Sequence, residues 1–139
     1  MSKLLEILKN SNVEIPELYL EYLTGDNFNS EIQIFKGQDE YRLYTLEELC
    51  ETITIDKNQC LRVTELEGYV KSLMEVFDGE DSIDEFSFEE LSECLSIGYE
   101  NEAVLFIDSR DKKTLWVFHP DGGDIEPTKI TLAKVINHK

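Results

Sequence analysis

The chain is short of positive charge. It holds 13 Lys and Arg against 30 Asp and Glu, a formal net charge of −17 over 139 residues. Phosphate is bound by clustered Lys and Arg, so nucleic acid is excluded as the expected partner. An anionic membrane surface is disfavoured by the same repulsion. Cysteine is scarce as well. Cys50, Cys60 and Cys94 are odd in number and widely spaced, which argues against a disulfide scaffold. With no Cys-x-x-Cys pair, a structural zinc site is not expected either. Only three prolines occur and 41% of residues are apolar, so wholesale disorder is not expected. No stretch reaches the ~20 apolar residues of a membrane-spanning helix. Glu6 and Lys9 break the apolar run in the opening MSKLLEILKNSN, which reads against a secretory signal. The cytoplasm is the expected compartment.

What is present is enough to bury a core without a metal or disulfide. No internal repeat, low-complexity tract or linker divides the chain, so residues 1–139 are expected to form a single domain. The excess of acid has two readings. It keeps a small protein soluble, or it steers a basic protein partner and raises the rate of encounter.

Apolar spacing outlines the elements. Leu4, Leu5, Ile7 and Leu8 predict a short helix that ends at Asn-Ser-Asn, 10–12. In IPELYLEYLTG, Pro16 suits the first helical position, Leu18, Tyr19, Tyr22 and Leu23 make one face, and Gly25 is placed to cap the end. Alternation in EIQIF and EYRLYT predicts a half-buried hairpin. Thr45 and Glu48 carry the signature of a capping box. Residues 52–63 are ambiguous, with TITID a candidate strand. Leu66, Tyr69, Val70, Leu73, Met74 and Phe77 mark an amphipathic helix over 64–77. FSFEELSECLSIG reads as a short helix running into a turn at Gly98. AVLFID and TLWVFH form the strongest hairpin signal. Their near-continuous apolar character predicts a strand pair buried on both faces, with helices covering one of them. A basic-ended helix, TLAKVINHK, closes the chain. The expected fold is α+β, a mostly antiparallel sheet with helices packed around it.

Candidate chemistry is thin. Asp78, Glu80, Ser82, Asp84 and Glu89 fall at calcium-loop spacing, but Ile83 stands where the sharp turn needs Gly. Cys50 and Cys94 lie among leucines on apolar helix faces, where a thiol acts as a small hydrophobe. Neither GYENEA nor DGGD has the glycines and lysine of a phosphate loop. In LWVFHPDGGDIEP, His119 has no second His or Cys nearby, so a strand-end histidine bonded to backbone or an acid is preferred to a metal ligand. Pro120 should stop the strand, Gly122 and Gly123 reverse the chain, and Asp121 and Asp124 bond the turn. No cofactor, metal or catalytic set is expected.

Three stretches in order carry a resemblance. IPELYLEYL presents Ile15, Pro16, Tyr19, Tyr22 and Leu23; CLSIGYENEAVLFID presents Ile97, Gly98 and Asp108; TLWVFHPDGGDI presents Trp116, Phe118, His119 and Asp121. With the closing helix at 131–137, they resemble the SUKH superfamily, and within it the Smi/Knr group. The chain departs from the family pattern in having one glycine before the core strand and a longer helix at 64–77. The resemblance implies an α+β binding domain without a shared catalytic set. Many bacterial members are immunity proteins that neutralise toxin domains, often nucleases or deaminases, and some eukaryotic relatives are regulatory scaffolds. The expectation is a non-catalytic immunity protein with a basic toxin as partner; the alternative is an intracellular scaffold with no toxin partner. The acidic loop, Asp78, Glu80, Asp81, Asp84 and Glu85, is the expected part of the binding surface.

Overall fold

The structure, a computed structural model, describes residues 6, 15–25, 28, 31–33, 40–55, 57–76, 79, 82–120 and 123–136. The helix expected over residues 4–8 lies outside these, save for Glu6, which is helical. Phe77, Asp78, Glu80, Asp81, Asp121 and Gly122 also lie outside.

Helix α1 covers Glu17–Thr24, and strands β1 (Glu31–Gln33) and β2 (Glu40–Leu43) follow. After helix α2 (Leu46–Leu49) comes a small hairpin of β3 (Thr52–Ile55) and β4 (Asn58–Leu61), which resolves the ambiguous stretch. A 3-10 turn at Arg62–Thr64 leads into α3, Glu65–Val76. Two short strands, β5 (Ser82–Ile83) and β6 (Phe86–Ser87), precede α4, Phe88–Ser92. Then come β7 (Leu95–Glu100), β8 (Ala103–Ile107), β9 (Thr114–His119), β10 (Asp124–Thr131) and α5 (Leu132–Ile136). Six strands make one sheet in the order β1-β2-β7-β8-β9-β10, with every pairing antiparallel. The fold is α+β. No helix among the described residues is long and apolar enough to cross a membrane.

All five side chains of β8 are buried. Because strand side chains alternate, Leu105 and Ile107 join Leu115 and Val117 on one face, under Tyr19, Tyr22 and Leu23 of α1 and Leu132 of α5. Val104, Phe106 and Phe118 lie on the other, under Leu66, Val70 and Leu73 of α3 and Phe88 and Leu91 of α4. Each such fully buried Leu or Phe contributes about 2 kcal/mol. Helices therefore cover both faces of the central pair, where one covered face was expected. The apolar stripe of α3, like that of α1, was enough to seal a second layer.

Local expectations fare unevenly. Thr45 Oγ1 accepts from Glu48 N at 3.2 Å while Glu48 Oε1 accepts from Thr45 N at 2.9 Å, the expected capping box. Ser87 and Glu90 form a second one at the start of α4. Pro16 stands just before α1 with ψ of 136°, so it is the N-cap and not the first helical residue. Gly25 follows α1 in extended backbone, φ −87°, and not in a left-handed cap. Leu18 and Met74 are 40% and 55% exposed. Each falls about 90° from the centre of its helix's apolar stripe, too far round to reach the core.

Two corrections concern the sheet. Gly98 is not in a turn: it lies inside β7, at a bulge where the register jumps from Ser96↔Phe106 to Gly98↔Leu105. A Cβ there would come within 2.6 Å of the Arg42 carbonyl oxygen on β2, so the glycine is required by close strand approach. The segment after His119 is also more than an exit. Gly123, φ 68°, donates to the His119 carbonyl at 2.8 Å and closes the turn, but Asp124 then opens an eight-residue strand. Pro127 and a register shift between Pro127 and Thr131 disguised it, as a proline is tolerated only at a sheet edge or bulge.

Gly98→Ala is expected to destabilise the protein by about 2 kcal/mol through overpacking against the β2 backbone, read as a lower urea midpoint. An unchanged midpoint would mean that β2 and β7 are not this close.

Candidate functional site

The expected acidic loop is described only at Asp84 and Glu85, which form the turn between β5 and β6. Both are exposed. Asp84 adopts φ 52°, and its Oδ2 accepts from Ile125 N at 2.7 Å. Its carboxylate thus holds the start of β10, which qualifies its expected role as a free recognition group. The Glu85 carbonyl accepts from Arg110 Nη1 at 3.0 Å, leaving its side chain outward.

Arg110 is the centre of a clamp beneath this turn. Its Nε and Nη2 donate to the two oxygens of Asp108 at 2.9 and 2.8 Å, and its backbone N donates at 2.8 Å. Trp116 Nε1 donates to the same carboxylate at 3.1 Å. The guanidinium lies 4.1 Å from the ring centre of Phe86, and Trp116 meets Phe86 edge-on at 5.1 Å. Asp108 is buried, and a bidentate Arg with an indole N–H satisfies it there. Asp108 and Trp116, resemblance residues both, are therefore structural. So are Tyr19 and Tyr22, which pack in the core.

His119 Nε2 lies 3.1 Å from Glu126 Oε1 on β10, with His119 half-buried and Glu126 exposed. This is the acid-bonded strand-end histidine expected from the sequence. Cys94 is not on a helix face but just beyond α4, buried, with its thiol against the Glu90 carbonyl at 3.3 Å. Burial pushes that thiol up to about 12, so it stays protonated at neutral pH. Burial also raises Cys60. Cys50 caps α2 and is half-buried. Among the described residues no group of three His, Cys, Asp or Glu is placed to hold a metal ion.

Sequence reasoning missed a cleft of about 620 Å³. Glu65 and Tyr69 enter it from the first turns of α3, Arg62 from the 3-10 turn and Tyr44 from the end of β2. Tyr99 of β7 and the β7–β8 turn residues Asn101 and Glu102 also line it. Tyr44 and Tyr99 stack with ring centres 5.2 Å apart, Arg62 lies 5.1 Å from the Tyr44 ring centre, and Tyr69 leans on Phe118 at 5.2 Å. Glu65 is 2% exposed, and its Oε2 accepts from Ser96 Oγ at 2.5 Å. Burial pushes its carboxyl above the usual range, partly offset by Ser96 and Arg62. Burial and then the Glu65 charge raise Tyr44, and the same two causes push Tyr69 up to about 12, so both phenols stay neutral. The only sequence hint was Glu65 lying four residues before Tyr69, on one side of the α3 stripe.

Comparison with protein-family models, with curated proteins and with solved structures returns no match for this chain.

Two expectations follow from these geometries. Arg110→Ala should cost about 2 kcal/mol in stacking and charged hydrogen bonds and speed amide exchange at Phe86 and Ser87, while an unaltered exchange rate there would show that the clamp does not hold β5–β6. For Glu65 the folded value is raised, so its stability contribution is complete below the ordinary carboxylate range and is lost as pH rises through the raised value. Glu65→Gln should therefore gain on the parent as pH climbs from acid to neutral, measured by urea unfolding at a series of pH values; a constant gap would refute the raised carboxyl.

Proposed function

We propose that this chain is a non-catalytic protein-binding domain of SUKH type, acting in the cytoplasm as an immunity protein that neutralises a basic toxin domain. The observation that carries the reading is the direction of its charge. Among the described acids only Glu65 and Asp108 are buried, and each is bonded internally. The other acids whose burial is described are at least partly open to solvent, where their charge acts on an approaching partner. A field of that sign speeds capture of a basic enzyme, and speed matters when the enzyme threatens the cell that makes it.

The resemblance supports the same reading in a particular way. Tyr19, Tyr22, Gly98, Asp108 and Trp116 all serve packing, close strand approach or the Arg110 clamp. A signature built of such residues specifies a scaffold and leaves recognition to the outer surface. The protonated Cys94 thiol and the Glu126-bonded His119 favour binding over nucleophilic chemistry.

Co-expression with a toxin domain encoded by a neighbouring gene tests the proposal. Growth should be restored when this protein is in excess, and the association rate should fall steeply as salt is raised. Cells that die regardless of this protein would sink the reading.

A further inference from the structure

We infer that the cleft between α3 and the β7–β8 turn is a receptor for one arginine or lysine side chain of the partner. The inference rests on the binding reading above and names the site and chemical group that the reading leaves open.

Size permits it. At about 620 Å³ the cleft falls within the range of about 300–1,000 Å³ typical of ligand pockets. A second hollow, about 140 Å³ beside Pro16 and Lys112, is too small for a long side chain. Charge selects the occupant. Glu48, Glu65 and Glu102 line the cleft against a single cation, Arg62. Glu48 spends one oxygen on its capping box, yet its charge remains. Arg62 lies over the Tyr44 ring, but its buried Nε has no hydrogen-bond partner among the described residues, so phosphate is the competing occupant that the test below includes. The walls add the second element of cation recognition. Tyr69 and Tyr99 line the cleft with aromatic rings, and the electron-rich face of such a ring attracts a guanidinium or ammonium; the Tyr44 ring is already covered by Arg62 and Tyr99.

The molecule contains this arrangement in miniature. Arg110 lies over Phe86 with its fork on the Asp108 carboxylate. The cleft repeats the pairing of ring and carboxylate with space left beside it. Glu102 stands exposed on the rim, where it meets an arriving cation first, and Tyr99 and Tyr69 receive the stem and head behind it.

The test uses N-acetyl-arginine amide as a one-residue stand-in, titrated into the isotope-labelled full chain with amide shifts as readout. The uncharged citrulline analogue and inorganic phosphate run in parallel. Arginine amide should shift Tyr69, Tyr99, Asn101 and Glu102 saturably, and citrulline should not. Glu102→Gln, on an exposed residue that leaves the fold intact, should weaken binding roughly threefold; Tyr99→Leu should weaken it roughly tenfold. Equal shifts with citrulline, shifts spread over the acidic surface and indifferent to both variants, or phosphate moving these same amides would each overturn the inference. Rescue from the toxin by a chain that fails to bind arginine amide would overturn the cleft alone and leave the immunity reading standing. Arginine binding without rescue would do the reverse.

Discussion

Strand β8 presents five consecutive apolar side chains in the middle of the sheet, and alternation sends them to both faces. Neither face can then be left to water. This demand accounts for the placement of everything else: α1 and α5 seal one side, α3 and α4 the other. It also fixes the neighbours. β7 must come close enough to β2 that only glycine fits at position 98, and β9 must carry Leu115 and Val117 to one face and Trp116 and Phe118 to the other. The two candidate functional features, clamp and cleft, both lie where the α3–α4 layer meets this sheet.

The molecule treats its two buried acids differently. Asp108 has a full complement of partners, a bidentate guanidinium and an indole N–H, and so remains a stable anchor. Glu65 is pushed up by burial, which one short bond to a neutral hydroxyl and the Arg62 charge offset only in part. A well-paired buried carboxylate organises structure, whereas an under-paired one stays responsive to its surroundings. That contrast separates the structural corner of the fold from the cleft.

Much of the architecture was legible in the residues. Near-continuous apolar runs located β8 and β9, while β7 was read as a helix end and turn; the Thr45–Glu48 signature located the start of α2, and the stripe of Leu66, Val70 and Leu73 located α3. What escaped notice had physical causes. Pro127 and a register shift broke the alternation of β10, and Gly98 reads as a turn residue when only its neighbour across the sheet explains it. The cleft was illegible for a deeper reason. Tyr44, Arg62, Glu65, Tyr69 and Tyr99 come from four separate elements, and no spacing along the chain reveals groups that only the fold assembles. The expected acidic surface was visible as composition, but the use of Asp84 to hold Ile125 was not.

Strand β10 lies at one edge of the sheet, and its irregularity bears on what happens at high concentration. An open edge offers unpaired N–H and C=O groups to a second copy and so invites stacking into fibres. Here Pro127 removes a donor from the row, Lys129 sits at φ 64°, and the shifted register bends the rest. Copies carrying −17 apiece also repel one another. Under the immunity reading proposed above, both features would keep copies held in excess of a toxin from pairing edge to edge.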